Sequence, residues 1–125
     1  MTNIIYSKTE KKLKWRGKTW QVRSGTGKIK GIPNGTYIIP RHALMVGTEK
    51  ISGVPFNSKY AAAPYKDGKG FGWFLWIGTG NYGIHPDGGV TGTLGCIGIV
   101  DSDTRELFNL LKDTYKKTTT LQVTD

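Results

Sequence analysis

The stretch GIHPDGGVTGTLGCIGI, residues 83–99, decides how the rest of the chain is interpreted. Strand-like residues at 82–85 and 97–100 flank a glycine-rich segment, so the pattern predicts two strands joined by a loop. The only cysteine, Cys96, lies at the start of the second strand, and His85, one of two histidines, lies at the end of the first. Strand ends joined in this way are readily neighbours. The pattern therefore predicts an imidazole near a thiol.

A thiol beside an imidazole is a candidate for nucleophilic catalysis. The thiolate is the reactive form, the ordinary thiol pKa is about 8.5, and an imidazole takes the proton or holds the thiolate as an ion pair. Gly95 frees the backbone before Cys96, where N–H groups could bind an oxyanion, and the Thr93 hydroxyl could fix the loop. From residue types alone, a small core residue is the favoured interpretation of Cys96, because free cysteine is among the most buried residue types. His42 has no evident partner and is expected at the surface.

The composition indicates a single β-rich domain over residues 1–125. The chain has 18 glycines and a hydrophobic content of 37%, which is too apolar for a disordered chain and too glycine-rich for a helical bundle. Alternation predicts a hairpin over residues 11–25 with its turn at Arg16-Gly17, and a β-branched run predicts a strand over residues 36–39. A continuous apolar run at residues 70–78 predicts a strand buried on both faces.

The C-terminal part predicts one helix and one last strand. Asp103 is a candidate N-cap, Glu106 follows three residues later, and apolar residues at helical spacing continue to Tyr115. TTTLQV, residues 118–123, predicts the strand. The segment 41–69 is weakly patterned, and no element is predicted there. The predicted architecture is mainly β with one α-helix in the C-terminal half.

The net positive charge and the small number of cysteines and histidines limit which kinds of function the chain can have. The formal net charge is +9, and nine basic residues between Lys8 and Lys30 face one acid, Glu10, so the segment is either a solvated face or a surface for polyanions. One cysteine excludes an internal disulfide, and one cysteine with two histidines is too few soft ligands to favour a structural zinc cluster. No cofactor is predicted. No apolar run reaches the ~18 residues of a membrane span, and the N-terminus has no signal-peptide pattern.

Several segments, in the same order, resemble the L,D-transpeptidase catalytic domain (YkuD-type) family. Its signature is a histidine, a variable loop, then Ser/Thr-x-Gly-Cys and an apolar residue, to which His85 and the segment Thr93–Ile97 are similar. TWQVRSGTGKIKGIPNGTYIIP, residues 19–40, resembles the family's strand, Ser-Gly turn and Pro-x-Gly-x-Tyr segment. IHPDGG, residues 84–89, stands where the family has Ile-His-Gly. The likeness extends from about Trp20 to Val100.

The resemblance implies an L,D-transpeptidase-like β-sandwich or barrel and a cysteine enzyme acting on peptidoglycan stem peptides. Cys96 would be the nucleophile and His85 the general base, with a backbone carbonyl expected to orient the imidazole. Loop and oxyanion support would come from Gly95, Thr93 and Ile97, and the candidate substrate-binding residues are Trp73, Tyr82 and Asp87. The aromatic residues Trp73, Phe74, Trp76 and Tyr82 are favoured as core residues, although one of them could line the substrate groove. The chain departs from the family pattern at Pro86, Leu94 and Gly98, where Gly, His, and Arg or Asn are common.

The short spacing from His85 to Cys96 resembles that of the compact L,D-transpeptidase-like effectors delivered by type VI secretion. A phage-encoded wall hydrolase would equally fit the absence of a signal peptide. Either would act in the periplasm or cell wall after signal-independent export, and an effector would have an immunity protein as partner. Without such export, the protein is expected in the cytoplasm. A non-catalytic wall-binding module of the same fold is the alternative that Leu94 and Gly98 favour. The positive charge alone suggests a nucleic-acid binder. No nucleic-acid partner is expected, however, because the sequence has no nucleic-acid-binding motif. The sequence gives no oligomeric state.

Overall fold

The computed structural model describes residues 3–24, 31–46, 66–80, 82–87, 96–112 and 117–125. These ranges contain nine strands and one helix. The strands are β1 (Ile4–Ser7), β2 (Lys12–Trp15), β3 (Lys18–Ser24), β4 (Gly35–Ile39), β5 (Leu44–Val46), β6 (Trp73–Trp76), β7 (Gly83–Pro86), β8 (Ile97–Ile99) and β9 (Thr119–Thr124), and the helix is α1 (Arg105–Leu111).

All nine strands form one curled sheet, a half-barrel, in the order β4-β9-β1-β2-β3-β8-β7-β6-β5. Neighbours are antiparallel except β1 with β9 and β7 with β8, which are parallel. β3 lies in the middle and joins the two halves of the sheet. The predicted fold class, mainly β with a helix in the C-terminal half, is confirmed.

The predicted hairpin is formed by β2 and β3. Arg16 and Gly17 both have positive φ, 52° and 76°, as a two-residue type I′ turn requires. Leu13 lies opposite Trp20, and both are buried together with Trp15 and Val22. The alternation read from the sequence therefore gives the correct inward face of this hairpin.

The helix packs on the core side of the sheet through Phe108. Its ring lies 4.9 Å from Phe71 in an edge-on arrangement and 6.1 Å from Trp73. The helix begins at Arg105, after Thr104, and Asp103 accepts a hydrogen bond of 3.0 Å from the Arg105 amide. The predicted cap thus acts one residue earlier than a regular N-cap. Tyr115 lies outside the described residues.

A buried carboxylate ties the segment before β6 to the start of the helix. Asp67 Oδ1 accepts from the amides of Lys69 and Phe71, and Oδ2 accepts from the amide and hydroxyl of Thr104. Trp73 Nε1 donates to the same Thr104 hydroxyl at 2.8 Å. These bonds fix α1 against β6, which in turn lies beside the histidine strand β7.

Two strands were not predicted, β1 and β5. Each has only three or four residues and no turn or glycine signal that marks its bounds. β1 pairs with the neighbouring β2 and with β9 at the other end of the chain, and β5 pairs with β6. The weakly patterned segment 41–69 thus contains β5, and its residues 47–65 lie outside the described ranges. No helix within those ranges is both long enough and apolar enough to cross a membrane.

Candidate active site

The register of two parallel strands places His85 and Cys96 on one face of the sheet. Ile84 of β7 lies opposite Ile97 of β8, and His85 lies opposite Gly98. Carried back one residue, this register puts Cys96 beside Gly83. Side chains alternate along a strand, so the histidine and the cysteine face the same side while the isoleucines face the core.

We call this side of strands β3 and β5–β8 the site face. It is the side opposite the core cluster, which contains Val22, Leu75 and Ile99. On the site face, cross-strand register aligns one residue from each strand in a single row. In strand order, that row is Arg23, Gly98, His85, Phe74 and Met45.

The imidazole of His85 is held in one orientation and one tautomer. Its Nδ1 lies 2.7 Å from the carbonyl oxygen of Pro86. Because a carbonyl only accepts hydrogen bonds, Nδ1 carries the proton, and Nε2 keeps a lone pair. A backbone carbonyl is thus the orienting group, as the sequence led us to expect, and Nε2 has the electronic form of a base.

The ring of Phe74 stacks on the imidazole. The two ring centroids are 5.9 Å apart, with 11° between the ring planes. A glycine is required beneath the phenyl ring, because a Cβ at Gly83 would overlap the ring atoms of Phe74. Phe74 and Gly83 therefore act together to position His85, a role that the sequence did not indicate.

Burial favours the uncharged forms of both candidate groups, the imidazole and the thiol. His85 is 3% exposed, and this burial lowers the imidazole pKa, partly offset by the Pro86 hydrogen bond and the charge of Asp87. Cys96 is 9% exposed, and its burial raises the thiol pKa, partly offset by a hydrogen bond with the Gly83 backbone. The pair is therefore a neutral thiol and a neutral imidazole at neutral pH, not a preformed ion pair.

A half-buried ion pair lies beside the histidine on the site face. The Asp87 side chain is 1% exposed, and its Oδ2 accepts a hydrogen bond of 2.5 Å from Arg23 Nε. Arg23 supplies the positive charge that balances this carboxylate, because a buried carboxylate without a counter-ion is costly. Its backbone amide donates to the Ile99 carbonyl and extends the β7–β8 pairing.

The other predicted site residues are distributed between the two faces. Trp73 is fully buried on the core side and bonded to Thr104, so we do not retain it as a substrate-binding residue. Tyr82 packs against the core cluster and is half-buried, and Ile97 is buried in that cluster opposite Ile84. His42 is exposed as expected. Thr93 and Gly95 lie outside the described residues, as does Leu94.

The aromatic residue next to the candidate site is therefore Phe74, not Trp73. Both lie on β6, and adjacent residues of a strand face opposite sides. The alternation of β6 does not show which side carries the site, since Trp73, Phe74 and Leu75 are all buried. Within the described ranges, no group of three or more His, Cys, Asp or Glu side chains is placed to hold a metal ion.

Comparison with known proteins gives a family and a fold. The profile of the L,D-transpeptidase catalytic domain, YkuD, matches residues 2–123. Mycobacterium tuberculosis L,D-transpeptidase 1 is similar in structure, with a TM-score of 0.57 and 12% identity over 99% of this chain and 62% of that one. The avibactam carbamoyl form of the enzyme Ldtfm has a TM-score of 0.53 and 21% identity over 98% of this chain and 48% of that one.

The chain spans less than two thirds of the length of either solved structure. At these identities the likeness in structure concerns the fold alone. A search of curated proteins gave no match.

Proposed function

The chain belongs to the L,D-transpeptidase catalytic domain family, and on this premise we propose that it is a cysteine enzyme of peptidoglycan stem peptides. Cys96 is the nucleophile and His85 the general base in this proposal. The substrate is a tetrapeptide stem, and the bond broken joins its third residue, a diamino acid, to the terminal D-alanine.

In the first half of the reaction, His85 Nε2 takes the proton of the Cys96 thiol as the sulfur attacks the carbonyl carbon of the third residue. The tetrahedral intermediate collapses, the bond to the D-alanine nitrogen breaks, and the leaving amine takes the proton back from His85. The product of this half is a thioester on Cys96. Proton transfer during attack suits a pair in which both groups start neutral.

In the second half, an acceptor attacks the thioester. Water gives a tripeptide, a free D-amino acid gives exchange, and the amine of a second stem gives a cross-link. The backbone N–H groups of Gly95 and Cys96 are the proposed oxyanion donors, each typically worth about 3 kcal/mol in a site of this kind. Thr93 and Ile97 are proposed to support the loop that presents them.

One observation carries the proposal. His85 and Cys96 share the site face of two adjacent parallel strands, and the Pro86 carbonyl fixes the Nδ1–H tautomer, in which Nε2 carries the lone pair. A cysteine that only filled the core would face the opposite side, where Ile97 and Ile99 lie.

The test is turnover of disaccharide-tetrapeptide muropeptides by the wild-type protein and by Cys96→Ala. We expect tripeptide product or D-amino-acid exchange from the wild type, detected by mass, and neither from the variant. Cys96→Ala exchanges one small buried side chain for another, so equal thermal stability would show that the loss is chemical. Wild-type protein that is folded, binds muropeptides and gives no product would instead support the non-catalytic wall-binding alternative.

We also propose that the protein acts in the periplasm or cell wall after delivery by type VI secretion or a phage, with an immunity protein as partner in the effector case. The short spacing between His85 and Cys96 supports this subtype. Expression directed to the periplasm of a test bacterium should lyse or slow it, and cytoplasmic expression should not. Equal growth in both cases would contradict an antibacterial role.

A further inference from the structure

The acceptor that orients the candidate general base belongs to the peptide unit between Pro86 and Asp87. The Pro86 carbonyl oxygen lies 2.7 Å from His85 Nδ1. Because a peptide unit is planar, this carbonyl and the Asp87 N–H point in opposite directions from one rigid plane. Any contact that holds Asp87 therefore also holds the acceptor of His85.

Asp87 is held at two points, its backbone amide and its side chain. The amide donates to the Ile99 carbonyl at the end of β8, at 2.9 Å. The side-chain Oδ2 accepts from Arg23 Nε of β3 at 2.5 Å. Since β8 lies between β3 and β7 in the sheet, these two bonds tie the end of the histidine strand to the next two strands.

The ion pair reaches across β8 at a glycine. Arg23 lies opposite Gly98, and Gly98 lies opposite His85, so β8 places no side chain between the arginine and the histidine strand at this level. Asp87 follows His85 by two residues and shares its face of the sheet. Arg23 and Asp87 thus join two strands that are not hydrogen-bonded neighbours.

Burial separates the Asp87 carboxylate from direct contact with a substrate. The Asp87 side chain is 1% exposed, against 37% for Arg23. A carboxylate enclosed to this degree depends on the cation that balances it. Its influence on a reaction at the site face is exerted through the groups that it holds, and the Pro86 peptide unit is one of them.

We propose that Asp87 and Arg23 are positioning residues, whose ion pair holds the Pro86–Asp87 peptide unit and, through the Pro86 carbonyl, fixes the orientation and tautomer of His85. If this peptide unit turns, Nδ1 loses its acceptor. The proton then also occupies Nε2, and an imidazole in that form has no Nε2 lone pair to take the thiol proton. This inference rests on the proposed function, since it concerns the base of that reaction.

The tautomer of His85 in the free protein tests the proposal without turnover. With isotope-labelled histidine at about pH 8, above the ordinary imidazole pKa, NMR correlation of the ring nitrogens with the ring carbon protons distinguishes Nδ1–H from Nε2–H. The signals of the other histidine are identified by their loss in His42→Gln. The wild type should show the Nδ1–H form of His85 alone, and Asp87→Ala should show the Nε2–H form as well.

Turnover of tetrapeptide muropeptides gives the second readout. Asp87→Ala should lower kcat about tenfold or more, as misplacement of a catalytic group does, and change KM by less than about threefold. This variant removes the buried carboxylate and leaves the half-exposed Arg23, so no buried charge is left without a counter-ion. Where Asp87→Ala does not fold, Asp87→Asn keeps the shape and a neutral acceptor, and it should lower kcat about threefold or more.

Asp101→Ala is the matched control. Asp101 follows β8, and its Oδ2 accepts from the Gln21 amide of β3 at 3.2 Å, so it also ties this part of the sheet to β3 and carries the same charge. It makes no bond to the Pro86–Asp87 peptide unit. Asp101→Ala should keep the Nδ1–H form alone and a kcat within about twofold of the wild type.

Three results would overturn the positioning role. They are a His85 tautomer and kcat that Asp87→Ala and Asp87→Asn leave unchanged, equal effects of Asp87→Ala and Asp101→Ala, and a rise in KM at constant kcat, which would instead indicate substrate binding. Failure of the proposed function has a different signature. It would be seen as a wild-type protein without Cys96-dependent product, while the NMR spectra of the free protein still decide whether Asp87 controls the tautomer.

Discussion

The thiol of Cys96 and the imidazole of His85 are both uncharged before substrate binds, because burial raises the pKa of one and lowers the pKa of the other. In the proposed reaction, such a pair forms a thiolate only when His85 takes the proton of the Cys96 thiol. It differs from a thiolate–imidazolium pair, in which a standing negative charge reacts with any electrophile. The Pro86 carbonyl and the Phe74 ring orient the imidazole, so on the proposed mechanism they set the position of the base.

The pH dependence of Cys96 alkylation follows from these pKa directions. Iodoacetamide should react slowly at pH 7 and progressively faster as the pH rises above about 8.5, the ordinary thiol pKa. The kcat/KM profile should lose activity on the acid side only below about pH 6.5, because protonation of His85 begins below its ordinary pKa. A fast alkylation rate that is constant between about pH 5 and 8 would indicate an ion pair and contradict the neutral pair.

Gly83→Ala should displace Phe74 and with it the imidazole. We expect a loss of about 1–3 kcal/mol in the free energy of unfolding from overpacking, and a fall in kcat of about tenfold or more from misplacement of the base. Urea denaturation and muropeptide turnover measure the two effects. Removing the obstructing ring in Gly83→Ala/Phe74→Ala should cost less stability than the sum of the two single changes, and full additivity would show that the clash is absent.

At the scale of elements, the sequence predicts those parts whose pattern is long or whose turn is explicit. The β2–β3 hairpin is foreseen because Arg16-Gly17 interrupts two alternating runs, and the paired strands β7 and β8 because glycines bound them. The strands β1 and β5 are not foreseen, since each is short and no explicit turn marks it; β1 also depends on the distant β9, and β5 on β6.

The candidate site was foreseen to a similar extent. The Cys96–His85 pairing follows from strand order, but the aromatic partner does not, because Trp73 and Phe74 differ only in which side of β6 they face. The Arg23–Asp87 pair joins residues 64 positions apart, and it depends on a register that the sequence does not specify.

Asp67→Ala should loosen the helix from the sheet. The change removes the acceptor of four hydrogen bonds to Lys69, Phe71 and Thr104, and leaving such donors buried should cost about 2–4 kcal/mol in urea denaturation. Asp103→Ala, at an exposed carboxylate with one hydrogen bond, is the control and should cost about 1 kcal/mol or less. Equal effects of the two changes would contradict the role of Asp67.

The Asp67 carboxylate also makes the free energy of unfolding depend on pH. Burial alone would raise the pKa of Asp67, but the bonds from Thr104, Phe71 and Lys69 outweigh it and the pKa is lowered. A lowered pKa in the folded state means that the contribution is full above the unfolded pKa of about 3.9 and is lost as the pH falls through the folded value. The difference between wild type and Asp67→Ala should therefore shrink in that acidic range.

At the scale of the whole molecule, the excess positive charge is concentrated near the N-terminus. Lys12 and Lys14 lie on the outward side of β2 and are exposed. Lys14 pairs with Glu10 at the surface, where such a pair contributes little. This face is suited to hold the proposed enzyme near an anionic envelope polymer, by an attraction that salt screens.

Lys12→Gln/Lys14→Gln should weaken co-sedimentation with wall sacculi that carry phosphodiester polymers by several-fold, on the order of 3–10. Stripping those polymers, or raising the salt from about 0.05 to 0.5 M, should reduce wild-type binding similarly. Lys69→Gln/Lys117→Gln removes the same charge from exposed positions elsewhere. Equal loss of sacculus binding in both double variants would show that only the net charge matters, and would contradict a role for the outward side of β2.

The nucleophilic role of Cys96 is tested most directly by the intact mass of the protein after mixing with a tetrapeptide muropeptide and quenching in acid. We predict a mass increase equal to the acyl group that remains after loss of D-alanine, mapped to the peptide that contains Cys96 and removed by hydroxylamine as a thioester should be. Cys96→Ala should show no adduct. Tripeptide release by Cys96→Ala at the wild-type rate would contradict the account, and so would folded wild-type protein that gives neither adduct nor tripeptide.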